Sequence, residues 1–343
     1  MQNKIIAITD YKKNFGSKWN ATPYRSGMDK NILKSSFSEL NFNIEYIIPS
    51  EYHKISNQNI VIYTATEDIG FHYKDYLEDV IHYAEQIGAL VLPSFKYLRA
   101  TNNKILMEFI RKSHLKDVGT LDTKIFGCAE EAFSSIHELQ FPQVIKKSAG
   151  AMSRGVFLAR EKKEFIKIVK QISRTPDLKN DLKDYLRRFK HKNYVQESRF
   201  RSKFITQQYI PNLSHDYKIL VFGDRYFIFE RPVRKNDFRA SGSGNKNYIY
   251  GSKVKFPVGI FEFAKQVTQA LLVPQLSIDI AYDDSQFYLM EFQAVYFGTV
   301  GFVKSDGYYT YNDKNELTFK PKNLTLEKAF AESVDYFIKT YHE

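Results

Sequence analysis

The chain has a single cysteine, Cys128, among 343 residues. That excludes an internal disulfide and a cysteine-built zinc site, and it fits a reducing compartment, so a cytoplasmic protein is expected. No apolar run approaches the roughly 20 residues that a membrane span needs, and a soluble protein is expected. Met1 runs almost straight into the strand-like KIIAIT, without the apolar stretch and small-residue cleavage site of a secretory leader. The first loop, FGSKW at residues 15–19, matches neither GxGxxG nor a Walker A loop, so the opening domain binds no nucleotide through those motifs. Ser/His/Asp and Cys/His signatures of covalent catalysis are missing as well, as are internal repeats and long low-complexity tracts.

What is present is globular. Hydrophobic residues make up 43% and aromatics 15%, enough for a sizeable core divided over two or three compact domains. The formal charge of +11 is uneven: between residues 160 and 203, 15 Lys/Arg against 6 Asp/Glu leave +9 in that segment. Such a patch attracts nucleic acid, an acidic polymer or nucleotide phosphates, or it is simply the solvated face of helices. Its aromatics, Phe165, Tyr185, Phe189 and Tyr194, read as helix anchors and not as base-stacking platforms, which argues against nucleic acid.

Strand and helix patterns alternate through the first hundred residues. Strands are expected at 4–9, 43–48, 59–64 and 89–93, with an amphipathic helix at 73–87 closed by Gly88. This is the pattern of a small parallel, doubly wound domain. Helices follow at 103–113 and 130–139, then strands at 143–147 and 155–159 separated by a small-residue loop from Ser148 to Arg154. Gly150 and Gly155 let that backbone approach an anion closely and aim N–H groups at it, and Lys146 on the preceding strand meets the same place. A plain hairpin turn beside a stray lysine is the alternative. After a helix at 161–173 comes the strand FITQQYI, 204–210. Strands at 216–222 and 226–232, turning at Gly223-Asp224, bring Lys218, Arg231 and Arg234 to one region. The loop NDFRASGSG, 236–244, carries Arg239 and reads either as an anion-binding loop or as a surface loop. A helix at 258–273, a Gly/Tyr-rich loop from residue 296 and a helix at 325–341 complete the chain.

The segment SIDIAYDDSQFYLMEFQ, 277–293, reads as strands 276–282 and 286–293 around a turn at Asp283-Asp284-Ser285. Alternation puts Asp279 and Ala281 on one face; on the return strand Leu289, Glu291 and Gln293 share a face, with Tyr288, Met290 and Phe292 opposite. Centred on Ser285, the hairpin sets Asp279 across from Glu291 and Ser277 across from Gln293. Opposed carboxylates repel unless a proton or cation lies between them. Oxygen donors with room left for phosphate suit Mg2+ better than Zn2+. An edge hairpin with a solvated acidic face is the other reading.

Taken in order, a lysine on an early helix, a strand lysine, a Gly-rich loop, a Gln-rich strand, an Asn-Asp-Phe-Arg loop, an Asp strand and a Glu-x-amide strand resemble the ATP-grasp superfamily. The resemblance is nearest the branch with ribosomal-protein glutamate ligases, lysine-biosynthesis ligases and glutathione synthetases, and covers roughly residues 90–300. It implies an α/β (α+β) chain of ATP-grasp fold, in which a small parallel α/β pre-domain, 1–100, precedes two α+β lobes that clasp ATP. The central lobe, 101–210, would carry the lid loop and the basic helical segment; the C-terminal lobe, 211–343, would carry the metal hairpin. It implies that Lys104 and Lys146 contact the ATP phosphates and that Ser148, Gly150, Ala151, Ser153 and Arg154 fold over them. Gln207, Gln208, Tyr209 and Ile210 correspond to the adenine hinge, with Asp216 near the ribose and Lys218 on the nucleotide side. Asp279, Glu291 and Gln293 would hold two Mg2+ ions, for which Mn2+ can substitute, and Arg231 and Arg239 would face the transferring phosphoryl group and the acyl phosphate.

The sequence departs from the family at Gln293, where Asn is usual, and at Gln208, where Glu is common. After the metal strand, Ala294-Val295-Tyr296-Phe297-Gly298 replaces a Ser-x-Pro-Gly turn, a change that falls on the substrate wall. The implied chemistry is ATP-dependent joining of a carboxylate to an amine through an acyl phosphate, with release of ADP and phosphate. An amino acid, a peptide, a small metabolite or an acidic sugar would serve as partner. A small-molecule kinase on the same scaffold and a non-catalytic binder of nucleotide or acidic polymer are the alternatives; Asp279, Glu291, Lys104 and Lys146 together argue against an idle protein. The acid, the amine and the choice between monomer and homo-oligomer stay open.

Overall fold

A computed structural model describes residues 3–64, 69–150, 155–234, 237–240 and 247–342. Its first layer is a parallel sheet in the order β2-β1-β3-β4, built from β1 (Asn3–Ile8), β2 (Phe42–Ile47), β3 (Ile60–Tyr63) and β4 (Leu90–Leu92). Ile5, Ile6, Ala7 and Ile8 are all fully buried, which requires that both faces of the sheet be covered. One face packs on α1 (Lys30–Glu39) and on the C-terminal helix Leu326–Tyr341, where Leu33, Phe37, Val334 and Phe337 meet Ile5 and Ile62. The other packs on α2 (His72–Gln86) through Leu77, Val80, Ile81 and Ala84. As the sequence predicts, α2 is closed by Gly88, whose φ of +87° suits glycine.

Two helices, α3 (Phe95–Ala100) and α4 (Lys104–His114), lead into an antiparallel sheet ordered β5-β8-β6-β7. Its strands are β5 (Thr123–Phe126), β6 (Gln143–Lys147), β7 (Val156–Ala159) and β8 (Phe204–Gln208). The helices α5 (Ala129–Ser134) and α6 (Lys162–Ser173) cover it through Ala129, Ala132, Phe165, Val169 and Ile172. The single helix expected at 130–139 is instead broken after Ser134 and resumes as a 3-10 turn, Ile136–Glu138. Both Ser134 and Ser135 turn their hydroxyls back onto the Glu131 carbonyl, at 2.8 and 3.1 Å, and so compete with the helical ladder. The basic segment contributes a further helix, α7 (Leu178–Lys190).

The last sheet is antiparallel, ordered β13-β12-β9-β10-β14-β15, with β11 also on β10. Its strands are β9 (His215–Phe222), β10 (Arg225–Pro232), β11 (Ile249–Tyr250), β12 (Gln275–Tyr282), β13 (Phe287–Gln293), β14 (Gly307–Tyr311) and β15 (Leu317–Pro321). Helix α8 (Ile260–Leu271) lays Phe261, Ala264, Val267 and Leu271 on Ile219, Ile228, Ile278 and Ile280. A short α9 (Val300–Lys304) precedes β14, and the C-terminal helix is α10. The Gly/Tyr-rich tail expected as a loop thus contains two strands, because GYYTY pairs residue for residue with Leu317–Pro321. One parallel and two antiparallel sheets in this sequence bear out the expected α/β (α+β) architecture.

Helix α10 ties the two ends of the chain together. Besides covering the first sheet, its Ser333 hydroxyl accepts from Gln275 Nε2 of β12 at 2.6 Å. In its first turn, fully buried Glu327 accepts from Lys18 Nζ at 2.7 Å and from the Asp29 amide at 2.8 Å. Phe337→Ala is therefore expected to lower stability by about 3–5 kcal/mol, read as a shift of the urea midpoint. A midpoint change below about 0.5 kcal/mol would mean that α10 only decorates the surface.

Candidate active site

The second and third sheets face each other across a cavity of about 520 Å³. Its walls come from α4 (Lys104, Met107), β6 (Val144, Lys146), Gly150, the end of β8 and the inner strands of the third sheet. On the floor, the β12–β13 hairpin pairs Ser277 with Gln293 and Asp279 with Glu291, the predicted register. Beyond Asp279 the register slips, and Ile280 pairs with Leu289 and Tyr282 with Phe287. Met290 is left as the extra residue of a β-bulge.

The bulge corrects the predicted faces. Leu289 is fully buried in the same core as Ile278, Ile280 and Phe292, and does not share the face of Glu291. Tyr288 packs with Ala281 on the opposite side, and Met290 lines the cavity. Strict alternation cannot set Leu289 and Phe292 in one core; one inserted residue can.

Buried polar contacts pin this bulge from below. Arg111 of α4 donates to the Leu289 carbonyl and, at 3.5 Å, to that of Met290. Its Nε stands 3.1 Å from Glu108 Oε2, and Glu108 Oε1 accepts from Gln207 Nε2 at 3.1 Å. All three side chains are buried. Gln207 therefore turns away from the cavity, whereas Gln208, Tyr209 and Ile210 line it. The sequence reading missed Glu108 and Arg111, although a signal existed. Lys104, Glu108 and Arg111 recur at i, i+4 and i+7 and share one helix face with buried Met107, while Phe109 on the far side is 53% exposed.

Charge alternates along the cavity floor. Asp279 lies between Lys218 Nζ, 2.6 Å from Oδ1, and Arg231 Nη2, 2.9 Å from Oδ2. Arg231 also forks onto Asp216, Nε to Oδ1 at 2.7 Å and Nη2 to Oδ2 at 2.8 Å. Burial alone would raise the Asp279 carboxyl, but the guanidinium and the ammonium against it hold it well below the ordinary range. At Asp216 burial prevails, and its carboxyl is raised in spite of Arg231. Glu291 feels burial too, yet Lys104, with Nζ 3.3 Å from Oε1, keeps it below the usual carboxylate value. Lys104 Nζ also donates to the Gly150 carbonyl at 3.2 Å. Burial pushes the Lys146 ammonium down to about 8, against the pull of Glu291.

The remaining expected residues divide. Arg239 lines the cavity and pairs with Asp237, Nη2 to Oδ2 at 2.8 Å. Gln293 lines it and donates Nε2 to Glu291 Oε1 at 3.3 Å. Ser148 is buried, with its hydroxyl on Asn103 Oδ1 at 3.2 Å, and Arg234 is not among the lining residues. Ala151, Ser153 and Arg154 lie outside the described residues. Among the described residues no three of His, Cys, Asp or Glu form a ready-made metal cage. Two carboxylates and one amide on adjacent strands are all oxygen-bearing, a donor set that fits Mg2+ or Mn2+ completed by phosphate and water oxygens.

The family model of the RimK-like ATP-grasp domain matches residues 101–307, more than half of the chain. The chain belongs to that family. RimK-like ATP-grasp proteins are ATP-dependent ligases that form C–N bonds between a carboxylate and an amine, and they use ATP with Mg2+ or Mn2+. Among solved structures, D-cycloserine synthetase is similar with a TM-score of 0.57 and 11% identity over 96% of this chain and 98% of that one. The RiPP-associated ATP-grasp ligase of Chryseobacterium gregarium, in complex with ADP and a leader and core peptide, gives 0.54 and 14% over 99% and 98%. D-alanine–D-alanine ligase of Bacillus anthracis, complexed with ATP, gives 0.53 and 15% over 99% and 97%. At these identities the likeness is one of fold. No curated protein matches the sequence significantly. No helix among the described residues is long and apolar enough to cross a membrane.

The Glu108–Arg111 pair generates a prediction. Arg111→Met strands a buried carboxylate and is expected to cost about 3–5 kcal/mol of stability. Glu108→Gln/Arg111→Met removes both charges and recovers part of that loss, since the neutral pair leaves no charge unpaired. A thermodynamic cycle from urea unfolding of the single and double variants measures the coupling; strict additivity would show that the two side chains act independently.

Proposed function

We propose that this cavity activates a substrate carboxylate as an acyl phosphate and passes the acyl group to an amine, releasing ADP and phosphate. The observation that carries the reading is Asp279 opposite Glu291 on one hairpin, with the buried ammonium groups of Lys104 and Lys146 at the same end of the cavity. Lys104, Lys146 and the Gly150 backbone then take the ATP phosphates, and the loop from Ser148 onward is the lid over them. The apolar walls of Met107, Val144, Ile210, Leu213 and Met290 suit a purine ring. The main chain of Gln208, Tyr209 and Ile210 supplies the hydrogen-bonding edge, Asp216 stands on the ribose side and Lys218 on the nucleotide side. Asp279, Glu291 and Gln293 would hold two Mg2+ or Mn2+ ions, which when bound neutralise phosphate charge. For Gln293 this requires its amide turned over, so that oxygen and not Nε2 faces Glu291.

A carboxylate oxygen is a poor leaving group and phosphate a good one, which is why ATP is consumed. No protein nucleophile is needed; the residues position reactants and offset developing charge. Arg231 and Arg239 face the transferring phosphoryl group and the acyl phosphate. Tyr248, Phe297 and Gly298 line the same cavity as Arg239, and we assign them to the substrate end. An amino-acid or peptide carboxylate is the substrate class this end suits, since aromatic walls hold a side chain and Arg239 an anionic group. The lone Cys128 suits a reducing cytoplasm.

Incubation with Mg-ATP and a complete metabolite extract, followed by nucleotide and mass analysis, tests the reading. ADP together with a product lighter by one water than its two precursors is expected; a phosphate-bearing product would replace the ligase with a kinase. Glu291→Gln is expected to lower ADP release by about a hundredfold or more while the protein stays folded by circular dichroism, and full ADP release by that variant would remove Glu291 from the site. Lys146 supplies a pH test. It is protonated below about 8 and neutral above, so free protein binds ATP less tightly as pH rises through about 8. Calorimetric titration should show proton uptake on ATP binding near that pH, and Lys146→Met should abolish it.

A further inference from the structure

Helix α7 is amphipathic in the inverted sense. Leu178, Leu182, Tyr185, Leu186 and Phe189 recur at i, i+4, i+7, i+8 and i+11, so they share one face. That face is open: Leu178 is 85% and Phe189 72% exposed, and the other three are exposed as well. Tyr185 and Phe189 are therefore not the helix anchors that the sequence predicts; their rings touch each other, centroids 5.1 Å apart, outside any core. What turns inward is Asp184, which is buried and accepts from the Tyr194 hydroxyl and, at 3.2 Å, from the Glu197 amide. Asp177 caps the helix by accepting from the Asn180 amide at 3.1 Å. Polar bonds hold the underside while large apolar side chains stand in water. Such a patch marks a surface that is covered in use.

Charge and shape decide what covers it. Lys179, Lys183 and Lys190 follow one edge of the stripe at helical spacing, within the segment of net charge +9. Two copies of this face would repel each other, which disfavours self-association. The stripe also projects into solvent, with Leu178, Leu182, Leu186 and Phe189 each more than half exposed. A peptide partner would need pockets for its side chains. A planar anionic surface needs none: it takes leucine and aromatic side chains at the headgroup–acyl boundary and lysines on its phosphates. We propose that α7 docks this chain on an anionic lipid surface, lying in the plane of the membrane through Leu178, Leu182, Leu186 and Phe189. The contact tethers the ligase without entering its cavity.

Co-sedimentation of the whole protein with vesicles tests this. Vesicles of phosphatidylcholine containing about a third phosphatidylglycerol should bind it at low salt, pure phosphatidylcholine should not, and binding should weaken as salt rises. Leu182→Ser/Phe189→Ser should reduce the bound fraction at least about tenfold, with ADP release and unfolding midpoint unchanged because both side chains are exposed and outside the cavity. Lys179→Glu/Lys183→Glu should do the same. No binding to anionic vesicles would overturn the proposal. So would binding that survives the apolar pair, since charge alone would then explain it. A dimer in sedimentation velocity that Leu182→Ser/Phe189→Ser dissolves would assign the face to a second copy, and stoichiometric capture of an acidic peptide without vesicle binding would assign it to a protein.

Discussion

Asp279 and Glu291 stand directly across from each other on neighbouring strands of one sheet, and two partly buried carboxylates in that position repel. Much of the surrounding polar structure answers that repulsion. Lys218 and Arg231 close on Asp279, Lys104 closes on Glu291, and Asp216 in turn is needed to balance Arg231. The result is an alternating row of charge across β10, β9, β12 and β13, ending on α4. Under the proposed function each cation here sits on a carboxylate that an ATP–metal complex would also claim, and nucleotide binding at this floor would be an exchange of partners. Burial makes every member sensitive to its neighbour, which is why Asp216 and Asp279, alike in chemistry and close in space, are shifted in opposite directions.

The row depends on a backbone irregularity. Without the bulge at Met290, the strand that sets Glu291 opposite Asp279 would carry Leu289 to the cavity side and Met290 to the core. With it, the core keeps Leu289 and Phe292 while the cavity gains Met290 and retains Glu291. A bulge leaves carbonyls poorly paired in the ladder, and Arg111 supplies the missing donors. Because Arg111 is anchored through Glu108 to Gln207 on β8, the hairpin of the third sheet is referenced to the second. The two walls of the cavity are thus joined through a polar cluster beneath it.

This division explains what was legible in the sequence. The parallel strands of the first sheet, the β9–β10 turn at Gly223-Asp224 and the Asp279–Glu291 pairing follow from patterns within a few residues of each other, and the family resemblance is carried by the order of such patterns. The bulge follows from a three-dimensional demand, that Leu289 and Phe292 enter one core, which period-two alternation does not express. Glu108 and Arg111 look like solvated helix charges because nothing nearby in the chain announces the carbonyls they serve. Gln207 and Gln208 are adjacent and identical in type, yet alternation sends one beneath the strand and one to the cavity. The β14–β15 pair stayed hidden because its tyrosines resemble a flexible loop until Leu317–Pro321 is found beside them.

Helices α4 and α7 pose the same question and answer it differently. Each turns a carboxylate inward, but α4 buries Met107 and Ile110 beside Glu108, whereas α7 leaves its apolar stripe in water, against the ordinary rule that this stripe is the buried one. In α4 the inward charges are matched by Gln207 and the bulge carbonyls, and of its large apolar side chains Phe109 alone is exposed, so its buried charges are accounted for within the molecule. In α7 one carboxylate, Asp184, is enough to hold the underside, while five large apolar side chains remain outside. Burying a single acid does not require exposing so much apolar area; Lys, Gln or Glu at the leucine positions would serve the helix equally well and cost nothing in solubility. The excess is what an internal role cannot supply, and it is the reason to look for an external surface against α7 and not against α4.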